Sequence, residues 1–141
     1  MKESCVLIKC DGDPSIPFNG FTAKNLSSGP LVWSPDNVEL YSSDIQKNGG
    51  CILCRSLLDE MGGRTGLNAC ALDNLLPDTR HIPDDWRDKN VIFPDTAYSD
   101  PWGEYRRFLF YHNGWGSYRI SVGSDLGRKW RVALLKMRSS S

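Results

Sequence analysis

Residues 105–123 read YRRFLFYHNGWGSYRISVG, two β-type runs around a turn, and their reading decides the fold class. The first run, YRRFLFYH, is rich in aromatic residues that suit a pleated surface. The second alternates Tyr118, Ile120 and Val122 with Ser117, Arg119 and Ser121, the period of a strand with one buried face. Between them NGWG (113–116) supplies turn formers, so an antiparallel hairpin is expected. Upstream, VIFPDTAY (91–98) leads through the turn-like SDPWGE into this hairpin. Downstream, KWRVALL (129–135) reads as a closing strand with Trp130, Val132 and Leu134 on one side.

The middle of the chain has a different period. From Cys51, the positions Leu53, Cys54, Leu57, Leu58 and Met61 recur at helical spacing until Gly62-Gly63. A second helix starts at the N-cap Asn68, buries Ala69, Leu72, Leu75 and Leu76, and stops at Pro77. IPDDWRD (82–88) fits one further turn, with Pro83 and two aspartates at its start and Ile82 packed on Trp86. In the first fifty residues SCVLIKC and VELYSSD are strand candidates, the latter ended by KNGG. DGDPSIPFNG (11–20) and SSGPLVWSPDN (27–37) are read as loop because of their turn formers. The expectation is a single α+β domain over residues 1–138, with an antiparallel sheet, two to three short central helices and a loose tail at 139–141.

A chain of 141 residues can bury roughly 65–70% of its unfolded surface and needs no metal or disulfide to fold. Its 17 basic and 17 acidic residues cancel, which argues against the broad positive field of a nucleic-acid or anionic-membrane binder. The apolar run in MKESCVLIKC is too short for a leader or a membrane span, and five cysteines are an odd number. A soluble, cytoplasmic protein is the expectation.

The chemical motifs are sparse. CILC (51–54) has the spacing of a zinc knuckle, but its only counterpart is Cys5 with Cys10, whose odd separation puts the two thiols on opposite faces of a strand. Cys51 and Cys54 at i and i+3, with Leu58 at i+7, are read as one buried helical face. His81 and His112, the only histidines, both lie in loop settings and are expected to be solvated. The aspartates Asp11, Asp13, Asp84, Asp85, Asp95 and Asp100 are all read as turn or helix-start residues. No phosphate loop, dinucleotide fingerprint or nucleophile elbow is present, and no cofactor is expected.

The stretch from Trp102 to Arg119 stands out. Trp102, Tyr105, Tyr111, His112, Asn113, Trp115, Tyr118 and Arg119 gather in two hairpin turns and their strands, and these residue types are enriched in recognition surfaces. Arg106, Arg107 and Arg119 interleaved with aromatics would also suit single-stranded nucleic acid, which the balanced charge disfavours.

LYSSDIQKNGG, LNACALDNLLPDTRHIPDDW and VIFPDTAYSD resemble a group of small proteins of ultra-small candidate-phylum bacteria. The pattern of that group runs L-N-A-x-x-L-D-x-L-L, then I-P-x-x-W-K, then F-x-G-T-x-Y-R-D. Leu67, Asn68, Ala69, Leu72, Asp73, Leu75, Leu76, Ile82, Pro83, Trp86, Phe93, Thr96, Tyr98 and Asp100 carry the likeness; Asp95 departs from it where a Gly is usual. The resemblance implies no activity. The aromatic tail and GRKWRVAL (127–134) are also similar to the ligand-binding end and closing strand of C-type-lectin-like domains, which would imply a lectin-like arrangement. The function expected is therefore non-enzymatic binding of a protein or glycan partner. The alternatives are a small hydrolase joining His112 to Asp95 or Asp100, and a mobile-element regulator or inhibitor.

Overall fold

The computed structural model describes residues 6–10, 14–27 and 29–136. Its strands are β1 (Val6–Cys10), β2 (Thr22–Asn25), β3 (Gly29–Trp33), β4 (Val38–Tyr41), β5 (Ile52–Leu53), β6 (Asn90–Asp100), β7 (Gly103–Tyr111), β8 (Trp115–Ser121), β9 (Asp125–Leu126) and β10 (Trp130–Leu135). The helices are α1 (Asp44–Lys47), α2 (Cys54–Glu60) and α3 (Ala69–Leu75), with 3-10 turns at Pro35–Asn37, Thr79–His81 and Asp84–Trp86. The product is a small single domain with a mixed sheet of many strands and short helices.

The main sheet runs β4-β10-β6-β7-β8, and β2 pairs with the far half of β6. The quoted hairpin is β7 and β8, in register from Tyr105↔Ser121 to Tyr111↔Trp115, and it closes where Asn113 and Gly114 adopt φ of 57° and 138°. The sheet is not wholly antiparallel, because β10 lies parallel to β6 through Trp130↔Asn90 and Val132↔Ile92. A parallel pair needs a long crossover, and the hairpin strands between β6 and β10 provide it.

β6 changes neighbours part-way along. β10 accompanies it as far as Ile92, β2 joins at Thr96, and the register with β7 breaks between Phe93 and Tyr98. The segment at Gly66 and Leu67 fills the gap: Leu67 N–H donates to Ala133 O, and Asp95 N–H donates to Leu67 O, both at 3.0 Å. A Cβ on Gly66 would collide with the ring of Pro94, so only glycine fits that crossing.

The sheet separates two apolar layers. Val91, Phe93, Leu109 and Ala133 point to one face, where they meet Leu72 and Leu75 of α3, Trp33 and Trp86. Ile92, Val132 and Leu134 point to the other, against Cys54 and Leu57 of α2 and Leu126 of β9. Trp130 packs against this second layer with Val132 and Leu134, the side the alternation indicated.

Several local expectations need correcting. Residues 51–53 are not helical: Ile52 and Leu53 pair with Leu126 and Asp125, and the first amides of α2, on Cys54 and Arg55, donate to Ser124 O and Val122 O. The segment ending in KNGG holds α1, closed by a capping box between Ser43 and Gln46. GPLVW forms β3 and not loop, paired antiparallel with β1 from Val6↔Trp33 to Cys10↔Gly29. Among the described residues β1 and β3 pair only with each other, whereas β2 joins the main sheet. The facing of the Cys5 and Cys10 thiols, Asp11, Asp13 and the tail 139–141 lie outside the described residues.

Candidate functional site

The eight aromatic and polar residues singled out above do not form one surface. They divide among three places along the β7–β8 hairpin.

Trp102 stands alone at the β6–β7 turn, 86% exposed. Its turn is set by Asp100, whose Oδ1 accepts the N–H groups of Trp102 and Gly103 at 2.9 and 3.0 Å.

Tyr105 and Arg119 are half-buried in contacts within the chain, and Tyr118 joins them while remaining 51% exposed. The Arg119 guanidinium lies 4.9–5.8 Å from the ring centres of Phe18, Phe21, Tyr105 and Tyr118. The rings also meet edge to face, Phe18 on Tyr98 at 5.9 Å and Phe21 on Tyr105 at 5.2 Å. The group therefore clasps the segment around Phe18 and Phe21 onto the sheet. Beneath it, Tyr98 Oη donates to Ser15 O at 2.8 Å, and the Arg107 guanidinium reaches Asp73 at 2.8 Å and Ser117 Oγ at 3.0 Å. Arg106 is equally committed, to Glu104 at 2.6 Å and Pro94 O at 2.8 Å. Both arginines are buried, so they form no basic stripe for nucleic acid.

Tyr111, His112, Asn113 and Trp115 occupy the closed end of the hairpin. His112 and Asn113 are exposed at the turn tip, while Tyr111 and Trp115 sit opposite each other with rings 5.1 Å apart, edge to face. The Arg87 guanidinium stacks 4.5 Å above the Tyr111 ring. Arg87 reaches this position because Ile82 and Trp86 are buried in the first layer, Trp86 edge-on to Trp33 at 5.8 Å. Trp33 Nε1 donates to His81 O at 3.0 Å and fixes the preceding turn. Together these residues border a groove of about 380 Å³ lined by Thr79, Arg80, Asp84, Arg87, Tyr111, Gly114 and Trp115.

The groove is locally close to neutral. Arg80 is bound at 2.8 Å to Asp78, which its guanidinium pulls down to about 2, and Arg87 is 3.5 Å from Asp84. Such a site offers aromatic faces, fork-shaped donors and a carboxylate acceptor without a strong field. Composition pointed to Tyr111 and Trp115 but missed Thr79, Arg80, Asp84 and Arg87. Those four lie about thirty residues upstream in loop-forming sequence, and only the burial of Ile82 and Trp86 brings them to the hairpin.

Comparison with protein-family models, curated proteins and solved structures returns no match.

The pairing that a hydrolase would need is not formed. His112 lies at one end of β7 and Asp100 beside the other, a separation of about 27 Å at the rise of an extended strand. Asp95 is not a turn residue: it lies within β6, 7% exposed, and its Oδ2 accepts the Gly66 N–H at 3.1 Å. His81 is part-buried, 3.5 Å from Asp78, and not a solvated loop residue. Of the CILC pair only Cys54 packs in the core, where burial pushes its thiol up to about 11; Cys51 is exposed. Among the described residues no three His, Cys, Asp or Glu side chains gather as a metal site. No helix among them is long and apolar enough to cross a membrane.

Proposed function

We propose that this domain is a non-enzymatic binding module and that the groove at the β7–β8 turn grips a protein or glycan partner. The observation that carries the reading is the Tyr111–Trp115 pair with the Arg87 guanidinium stacked beside a groove of about 380 Å³. Rigid aromatics give contact area at small entropic cost, and Arg80, Arg87 and Asp84 give directional hydrogen bonds around it. The near-neutral local charge agrees with recognition by stacking and hydrogen bonding rather than by long-range attraction. The likeness of residues 127–134 to the closing strand of C-type-lectin-like domains supports the glycan branch. A cytoplasmic location belongs to the same reading, supported by the free thiols of Cys51 and Cys54.

The test is capture from host lysate, with a glycan array in parallel, using wild type, an Arg80→Ala/Arg87→Ala variant and Trp102→Ala. Both arginine side chains are more than half exposed, so the double variant should fold normally. A ligand held by wild type and Trp102→Ala but lost by the arginine variant is the expected result. A ligand lost only by Trp102→Ala would move the contact surface to the opposite end of the hairpin and overturn the proposal.

A further inference from the structure

β8 ends the main sheet, with β7 as its only strand neighbour among the described residues. Val122 N–H donates to Glu104 O at 3.0 Å and His112 N–H to Gly114 O at 2.9 Å, which fixes the parity of the β7–β8 ladder at both ends. Bonded positions alternate in an antiparallel pair, so Gly116, Tyr118 and Ile120 turn their backbone groups to β7. Trp115, Ser117, Arg119 and Ser121 turn theirs outward. Among the described residues the N–H groups of these four donate to no acceptor, and no residue of β8 is buried.

Sheet proteins blunt such edges with lysine, proline, a bulge or a covering segment. β8 has seven residues, neither lysine nor proline among them, and an unbroken register with β7. Its one charge, Arg119, is drawn back over the rings of Phe18, Phe21, Tyr105 and Tyr118. What fits the edge follows from the strand itself, because WGSYRIS (115–121) complements its own reverse. A two-fold axis at Tyr118 sets Trp115 opposite Ser121 of a second copy, Gly116 opposite Ile120 and Ser117 opposite Arg119. Large meets small at each of these pairs, outward backbone groups meet outward ones, and Arg119 faces a hydroxyl. An axis at Arg119 would instead oppose two guanidinium groups, and one at Ser117 would leave Ile120 and Ser121 unpaired. Tyr118, 51% exposed, then sits at the non-bonded position on the axis, where paired strands come closest.

We propose that β8 is a docking edge for a second copy of this chain, which extends the main sheet antiparallel about a two-fold axis at Tyr118. The charge match of Arg119 with Ser117 and the size match along the strand select the same chain as the occupant. Trp115 borders the hairpin-turn groove, so the dimer carries two grooves on one face of the joined sheet. Their tryptophans lie about 20 Å apart along the ladder, at the ~3.4 Å rise of an antiparallel strand.

The test is amide hydrogen exchange of the 15N-labelled protein, read by NMR beside sedimentation equilibrium over roughly 0.01–1 mM, since one strand ladder is a small interface. The expected result is a dimer whose formation slows exchange at Trp115, Ser117, Arg119 and Ser121, while Gly116, Tyr118 and Ile120 are slow at every concentration. Ser117→Pro removes an outward N–H and leaves the bonds to β7 in place. Because Ser117 Oγ also accepts from Arg107, Tyr118→Lys, which opposes two ammonium groups at the axis, serves as a second probe. Each should weaken the dimer at least about tenfold with an unchanged far-UV circular dichroism spectrum. A monomer throughout the range, a dimer without protection of the four outward amides, or protection of those amides already complete in the monomer would each overturn the proposal. So would unchanged dimerisation in either folded variant.

Discussion

Replacing Arg119 by Ala tests whether its aromatic surroundings are a clasp or part of the recognition surface. The guanidinium lies within 5.8 Å of four ring centres, two of them on Phe18 and Phe21, remote in sequence. One cation–π contact at a partly exposed site contributes ~0.5–1 kcal/mol, and a flat guanidinium has only two faces to stack. The expected loss is therefore about 1–2 kcal/mol, not the sum over four rings. For a urea slope of ~2 kcal/mol per molar, the middle of the range for small domains, the midpoint should fall by roughly 0.5–1 M. Arg119→Lys keeps the charge but not the plane, and should lose about half as much. Chymotrypsin cleavage after Phe18 and Phe21 should speed up in parallel with the loss of the clasp. An unchanged urea midpoint and cleavage rate, accompanied by loss of partner binding, would refute the assignment and return Arg119 to the binding surface.

Other outcomes follow from the same structure. Gly66→Ala should destabilise the fold by about 1–3 kcal/mol in urea melts, since the new methyl meets the Pro94 ring and the Ala133 carbonyl; a neutral effect would mean that the strand crossing yields easily. At mildly alkaline pH an alkylating reagent should label exposed Cys51 well before Cys54, read by mass spectrometry, because burial holds the Cys54 thiol near about 11. Tyr41 is pushed up to about 12, chiefly by donating its hydroxyl to Glu60 at 2.7 Å, above the ordinary value of 10.0. Its folded-state pKa is raised, so its contribution is complete below about pH 10 and is lost as pH rises towards about 12. Tyr41→Phe should flatten the stability curve in that window, and an identical pH slope in the variant would contradict the linkage.

The fold was legible where the information is local. The alternation in β8, the aromatic run in β7, the Asn68 cap and the apolar stripe of α3 each name their own element, and the structure contains all four. What stayed hidden depends on distant partners. The parallel pairing of β10 with β6 leaves no mark in either strand, because strand period is the same in both directions. Ile52 and Leu53 continue a helical stripe on paper, yet pairing with β9 satisfies their backbone first. The candidate site divides in the same way. Tyr111 and Trp115 were visible as aromatics at a turn, while Tyr105 and Arg119 were turned to internal use by Phe18 and Phe21, eighty or more residues upstream. Asp95 read as a turn residue, and only the neighbour change along β6 reveals it as a buried carboxylate beside a cleft.

The central claim is that the groove at the β7–β8 turn is the contact site, and titration of the captured ligand against three purified proteins tests it most directly. Calorimetry with wild type, Arg80→Ala/Arg87→Ala and Trp102→Ala should show affinity falling at least about tenfold in the arginine variant, or roughly 1.4 kcal/mol, and unchanged in Trp102→Ala. Equal affinity for all three, with each protein folded, would contradict the account and place recognition outside the groove.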